Sequence, residues 1–136
     1  MFHEKTTANE IYNQTSGKIN GFTCSIGTGG TLTGVGMGLK SKDKNIKIAC
    51  TDSQGSSMYN YFTQGKLEKK GEPSFTEGIG QARITKNLEN CSVDMSYFVD
   101  DKECLEMLYK LIKTEGLFLG TSSGAVSYTH LRAHET

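Results

Sequence analysis

Apolar and polar positions along the chain predict strands and helices in alternation. Residues 21–26 alternate in polarity and are rich in β-forming side chains, which predicts a strand, whereas residues 32–42 carry apolar side chains along one face of a helix. Residues 46–50 form a second apolar run of strand length. A strand, a helix and a strand in succession make a crossover unit of parallel strands, so this order predicts a parallel sheet.

The second half of the chain adds one long helix and several short elements. Asp100 and Glu103 have the spacing of a capping box, and apolar side chains follow at helical intervals, so residues 101–115 are predicted to form a helix that ends at Gly116. Shorter helices are predicted over residues 7–14 and 57–62, strands over residues 94–99 and 117–119, and a polar surface excursion over residues 64–75. Together these elements predict an α/β fold, an open parallel sheet with helices on both faces in three αβα layers.

Composition narrows the function classes. The 136 residues suffice for one domain, and 15 basic residues balance 15 acidic ones, which argues against a nucleic-acid partner. We expect no membrane span and no signal peptide, because apolar runs are short and the first residues are mixed polar. The four cysteines form no C-x-x-C pair and are interpreted as reduced thiols of a cytoplasmic protein.

A glycine-rich loop follows the first predicted strand and precedes a helix. It consists of Gly27, Thr28, Gly29, Gly30 and Thr31. Backbone N–H groups at such a position converge on an anion, and the helix dipole adds to the attraction, so a phosphate monoester is the expected ligand. The nucleotide patterns fail, because Leu32 stands where G-x-G-x-x-G needs glycine and Leu39 where the P-loop needs glycine before Lys40. A simple tight turn remains the alternative.

Four motifs in order carry a family resemblance. The loop is followed by Leu-Thr-Gly-Val-Gly, is preceded by His-Glu-Lys-Thr-Thr at residues 3–7, and is followed later by Glu-Gly-Ile-Gly at residues 77–80 and Gly-Leu-Phe-Leu-Gly-Thr-Ser-Ser-Gly at residues 116–124. From about residue 3 to residue 126, the chain resembles pyridoxal-phosphate (PLP) enzymes of fold type II, the cysteine synthases and cystathionine β-synthases. It is similar to the carboxyl-terminal part of these enzymes and to most of their larger domain.

The resemblance assigns roles to particular residues. It implies PLP as cofactor, with Gly27, Thr28, Gly29, Gly30 and Thr31 holding its phosphate. Ser122 would share a hydrogen bond with the pyridine nitrogen, although an ordinary serine turn or helix cap is the alternative. Gly78 and Ile79 would line the substrate mouth. For the whole protein the resemblance implies L-cysteine formation from O-acetylserine and sulfide in a homodimer, with cystathionine synthesis as the close rival.

The lysine that holds the cofactor as a Schiff base has no counterpart in this sequence. In the resembled family it lies in an S-x-K-D-R-like segment before the phosphate loop, whereas the lysines that precede Gly27 here, Lys5 and Lys18, lack that context. The amine both anchors the cofactor aldehyde and moves the substrate proton. We therefore assign no catalytic residue to this chain and expect it to be inactive alone.

Residues 127–136 do not resemble the family, which continues with an alanine-rich helix. We interpret residues 1–126 as a PLP-binding domain fragment and residues 127–136 as translated adapter or vector sequence. His130 and His134 have an i, i+4 spacing that can bind zinc, but the H-E-x-x-H order is absent and no metal site is expected.

The sequence also leaves open a non-catalytic binding function. The same strand–loop–helix unit serves in non-catalytic phosphate- or nucleotide-binding modules. The failed nucleotide patterns and the serine turn at Ser122 both count against that alternative.

Overall fold

The computed structural model describes residues 2–135, with side chains described for residues 2–132. Strands are β1 (Gly21–Ser25), β2 (Lys47–Ser53) and β3 (Met95–Val99). Helices are α1 (Phe2–Lys5), α2 (Thr7–Gln14), α3 (Gly30–Lys42), α4 (Met58–Gln64), α5 (Asp101–Glu115) and α6 (Thr121–Glu135), with a single 3-10 turn at Lys86–Leu88. The predicted elements up to residue 115 are thus present, with ends shifted by a few residues.

The three strands form one parallel sheet in the order β1-β2-β3. In register, Cys24 of β1 lies beside Cys50 of β2, and Asp52 of β2 lies beside Phe98 of β3. This confirms the α/β fold with a parallel sheet. All three strands end on the same edge of the sheet, where the loops that follow them meet.

Helices cover both faces of the sheet, which confirms the αβα layering. One face contributes Ile48 and Cys50 to a buried core shared with α2, α3 and Met58 of α4. The opposite face, on which Ala49 lies, is covered by α6, which contacts all three strands. Among the helices described, none is long and apolar enough to cross a membrane.

Helix α5 begins with the predicted capping box. The Asp100 side chain accepts a hydrogen bond from the Glu103 N–H at 2.8 Å, and the Glu103 carboxylate accepts from the Asp100 N–H at 3.0 Å. Gly116 ends the helix in a left-handed conformation with φ of 68°. The spacing in the sequence therefore located both ends of this helix.

The predicted strand over residues 117–119 is wrong. These residues form no ladder with β1, β2 or β3, and Leu117, Phe118 and Leu119 are exposed, Phe118 to 89%. A strand is stable only when a neighbour satisfies its backbone groups, and the described part of the chain supplies none here. The segment instead leads from α5 into α6.

Candidate functional site

The glycine loop lies at the carboxyl edge of the sheet and is held by residues 80–85 through its carbonyl groups. The Ile26 carbonyl accepts from the Gly80 N–H at 2.7 Å, and the Gly27 carbonyl accepts from the Gln81 side-chain amide at 3.1 Å. The Thr28 carbonyl accepts from the Thr85 hydroxyl. Three successive carbonyl oxygens are thus occupied on one side of the loop.

The N–H groups of the loop point the other way. In a trans peptide the C=O and the following N–H are antiparallel, so the N–H groups of residues 27, 28 and 29 face away from residues 80–85. The first N–H groups of α3 have no partner within the helix, and no side chain caps it. A 13-residue helix adds its dipole at the same place. This arrangement fits a phosphate group.

Gly29 makes the turn into α3 possible. Its φ is 89°, a left-handed conformation that side chains with a Cβ rarely adopt, and it is buried. A Cβ added there would lie 2.5 Å from the Leu88 side chain, which is itself buried. Thr28 and Thr31 are exposed on the open side of the loop, where their hydroxyls are available to an anion.

Gly78 and Ile79, predicted to line a substrate mouth, lie between the loop and α6. A Cβ on Gly27 would be 3.3 Å from the Gly78 carbonyl oxygen, whereas a Cβ added to the exposed Gly78 would have no atom within 4 Å. Ile79 packs against a small apolar cluster that contains Ala125 of α6. The motif at residues 77–80 therefore connects the other two motifs. Its role at a substrate mouth stays a prediction.

Ser122 is half-buried in the first turn of α6, three residues before Ala125. The turn is fixed against α5: the Cys104 thiol donates to the Thr121 carbonyl at 2.7 Å, and a Cβ on Gly124 would be 2.7 Å from the Cys104 carbonyl oxygen. No hydrogen bond joins Ser122 to the glycine loop among the described residues. Ser122 and the loop are thus on the same edge of the sheet, and the pairing of Ser122 with a pyridine nitrogen stays a prediction.

A polar cavity of about 270 Å³ adjoins the motif at residues 77–80. It lies beside the carboxyl end of β2, and residues of the mouth segment form part of its wall. Its polar and mouth residues include Ser53, Lys69, Thr76, Ile79, Gly80 and Gln81. The volume suits a small amino acid.

Asp52 is a buried carboxyl group at the end of β2. Its Oδ2 accepts a hydrogen bond from the Tyr59 N–H at 2.7 Å, and its Oδ1 has no partner within the described residues. Burial raises the pKa of this carboxyl above its ordinary value, and the hydrogen bonds it accepts offset only part of that effect.

We expect Asp52→Asn to flatten the pH dependence of stability. Because the pKa of the Asp52 carboxyl is higher in the folded than in the unfolded chain, the free energy of unfolding falls as pH rises from the unfolded pKa through the folded pKa. Asparagine cannot ionise and still offers an acceptor to the Tyr59 N–H. Urea unfolding from acidic to neutral pH measures the effect, with the exposed Glu68→Gln as control. Equal pH dependence in Asp52→Asn and the unaltered chain would contradict the assignment.

The cysteines are unpaired thiols within the fold. Cys24, Cys50 and Cys91 belong to the core below α3, and Cys104 lies between α5 and α6. Burial raises the pKa of the Cys24 thiol to about 11, so this group stays protonated at neutral pH.

Within the described residues no group of three metal-binding side chains comes together. The His134 side chain lies outside those described, so the interpretation of its spacing with His130 stays a prediction.

Sequence reasoning missed the residues that hold the loop in place. Gln81, Thr85 and Leu88 follow the glycine motif at residues 77–80, but their contacts with the loop span more than 50 positions of the chain. No local periodicity encodes such pairings. His3, quoted only as part of a motif, lies beside Thr31.

Comparison with known proteins gives the family. The model of the family described as "Pyridoxal-phosphate dependent enzyme" matches residues 1–135. Cysteine synthase 1 of Emericella nidulans is 44% identical over 125 residues, which is 89% of this chain and 34% of that protein. A cysteine synthase of Buchnera aphidicola is 33% identical over 98% of this chain and 42% of its own length. The chain thus spans about a third to two fifths of these relatives.

A solved structure of a related enzyme is similar to this chain. The O-acetylserine dependent cystathionine beta-synthase from Helicobacter pylori has a TM-score of 0.82 and 29% identity, over 98% of this chain and 41% of that one. Because the match covers 98% of this chain, the glycine loop, its helix and the flanking parallel strands lie within the matched part. The chain belongs to the family of pyridoxal-phosphate dependent enzymes.

Proposed function

We propose that this chain is the cofactor-holding part of a cysteine synthase, which forms L-cysteine from O-acetylserine and sulfide by β-replacement. The observation that carries the proposal is the glycine loop, because residues 80–85 hold the carbonyl groups of Ile26, Gly27 and Thr28 and the N–H groups that follow them face outward. The names of the relatives, several of them cysteine synthases at up to 44% identity, support this choice of reaction.

Each candidate residue has a defined part in this proposal. Backbone N–H groups of residues 27–31 and the hydroxyls of Thr28 and Thr31 bind the cofactor phosphate. The Ser122 hydroxyl shares a hydrogen bond with the ring nitrogen, and because it is neutral it does not keep that nitrogen protonated. Bound pyridoxal phosphate supplies an electron sink, and a weaker one favours β-replacement.

The substrate, the partner subunit and the location of the whole protein are also proposals. The cavity beside Gly80 and Gln81, with the Lys69 ammonium on its wall, suits a small amino acid with a carboxylate. The exposed apolar Leu117, Phe118 and Leu119 suit a surface that further chain covers. We place the whole protein in the cytoplasm, as a homodimer, and assign the Schiff-base lysine to a segment outside this sequence.

The test is the reaction of a longer chain. The genomic sequence before codon 1 is read for a frame that encodes the S-x-K-D-R-like segment, and the longer chain is assayed for cysteine from O-acetylserine and sulfide. We expect activity with the longer chain and none with residues 1–136 alone. An upstream frame without that segment would contradict the proposal. So would a longer chain that is inactive both with sulfide and with homocysteine.

A second candidate reaction is cystathionine synthesis. The structural match to an O-acetylserine dependent cystathionine beta-synthase favours it. The same assay separates the two, with homocysteine in place of sulfide. A higher kcat/KM for homocysteine would assign the chain to that reaction, and a higher kcat/KM for sulfide to cysteine synthesis.

The boundary after residue 126 is a separate proposal. We propose that residues 127–136 are adapter or vector sequence, of which residues 127–135 lie in α6. Thr129 is fully buried, and its hydroxyl donates to the Ala125 carbonyl at 3.0 Å, so a polar side chain occupies a core position of this helix. Genomic DNA that encodes residues 127–136 in frame would overturn the proposal. The family match reaches residue 135 and counts against the proposal, so sequencing the genomic DNA is the deciding experiment.

A further inference from the structure

His3 lies between two threonine hydroxyl groups. Its Nδ1 is 2.8 Å from the Thr7 Oγ1, and its Nε2 is 3.5 Å from the Thr31 Oγ1. Thr31 is the second residue of α3 and belongs to the glycine loop, whereas Thr7 begins α2. The imidazole ring therefore connects the amino-terminal helices with the loop.

The position of His3 is fixed by close helix packing. A Cβ on Gly34 would lie 2.8 Å from the His3 Cβ, and a Cβ on Gly38 would lie 2.8 Å from the Glu4 carbonyl oxygen. Helix α1 thus rests directly on the backbone of α3 at two points one turn apart. The Phe2 ring meets the imidazole edge-on at 5.5 Å between centroids. These contacts hold the backbone and Cβ of His3 against α3, next to the turn that carries Thr31.

We infer that His3 orients the Thr31 hydroxyl toward the cofactor phosphate, an inference that rests on the proposed function. A hydroxyl group has a single hydrogen to donate. If the Thr7 hydroxyl donates to Nδ1, the ring proton is on Nε2, and Nε2–H donates to the Thr31 oxygen. The Thr31 hydrogen is then directed away from His3, toward an anion in front of the loop. His3 is a positioning residue in this scheme, because it touches Thr31 and not the ligand.

The scheme predicts a specific tautomer. In the chain labelled with 15N-histidine, long-range proton–nitrogen spectra at a pH where His3 is neutral should show the proton on Nε2. Thr7→Val should weaken that preference, because the donor to Nδ1 is lost. A proton on Nδ1 of His3 in the unaltered chain would overturn the inference whatever the binding data show.

Binding measurements test the coupling between His3 and Thr31. The ligand is pyridoxine 5′-phosphate, which lacks the aldehyde and so forms no Schiff base with surface lysines. We expect His3→Leu and Thr31→Val each to raise its Kd about tenfold, the cost of one hydrogen bond to a charged group. The double variant should be no worse than Thr31→Val alone, since both changes remove the same bond. His3→Gln, whose amide N–H replaces Nε2–H, should bind within a few-fold of the unaltered chain.

The outcomes separate this inference from the proposed function. If the unaltered chain binds pyridoxine 5′-phosphate and His3→Leu changes nothing, or the two single effects multiply in the double variant, the inference fails and the proposed function stands. If the unaltered chain does not bind this ligand, the phosphate cradle and the inference fail together. If His3→Leu does not fold, the ligand affinity of His3→Gln and the tautomer of His3 in the unaltered chain still test the inference.

Discussion

Gly29→Ala should abolish binding of pyridoxine 5′-phosphate and lower the free energy of unfolding by about 2 to 4 kcal/mol. Two effects add at this position. The φ of 89° strains any residue with a Cβ, and that Cβ would meet the Leu88 side chain at 2.5 Å. Relief of either effect moves the turn and with it the N–H groups at the start of α3. Urea unfolding and ligand titration measure the two losses.

Two further variants make this prediction sharp. Gly65→Ala is the matched control, because Gly65 has φ of 71° but no atom within 4 Å of an added Cβ. It should cost about 1 kcal/mol from φ alone and leave binding intact. In a Leu88→Ala background the clash is gone, so Gly29→Ala should cost less there than in the unaltered chain. Equal losses for Gly29→Ala and Gly65→Ala would contradict the account of the turn.

Gly38→Ala should destabilise the fold, whereas Gly36→Ala on the same helix should not. A Cβ on Gly38 would lie 2.4 Å from the Ala8 Cβ and 2.8 Å from the Glu4 carbonyl oxygen, so α1 and α2 would have to move off α3. A Cβ on Gly36 would meet only Ile48, at 3.4 Å, an ordinary contact. Both variants gain helix propensity of about 1 kcal/mol.

The net difference between the two variants should be about 1 to 3 kcal/mol, since overpacking costs that much while the propensity gain is shared. Thermal and urea unfolding of both variants against the unaltered chain give the difference. Because α1 carries His3, Gly38→Ala should also weaken ligand binding, and Gly36→Ala should leave it unchanged. A Gly38→Ala chain as stable as Gly36→Ala would mean that α1 and α2 are not packed on α3 as described.

The sequence predicted the parts of the fold that local chemistry determines. Alternation located β1, the D-x-x-E spacing located the start of α5, and Gly116 its end. The glycine cluster at residues 27–31 identified the loop from composition alone. The true start of α3 at Gly30 was missed because glycine is a poor helix former, and here tertiary packing outweighs that propensity.

Other features depend on residues distant in the chain. Residues 117–119 have the composition of a strand, but a strand also needs a neighbour, and the described residues provide none. The bonds from Gly80, Gln81 and Thr85 to the loop likewise join segments more than 50 positions apart. These bonds, rather than the glycines alone, determine the direction of the loop N–H groups.

The most direct test of the phosphate cradle is a map of amide shifts. The 15N-labelled chain is titrated with pyridoxine 5′-phosphate, and with pyridoxine as the ligand that lacks phosphate, while backbone amide resonances are followed. We predict the largest shifts at residues 28–32 with the phosphate compound and none there with pyridoxine. Shifts spread over surface lysines, or equal shifts at residues 28–32 with both ligands, would contradict a phosphate cradle at this loop.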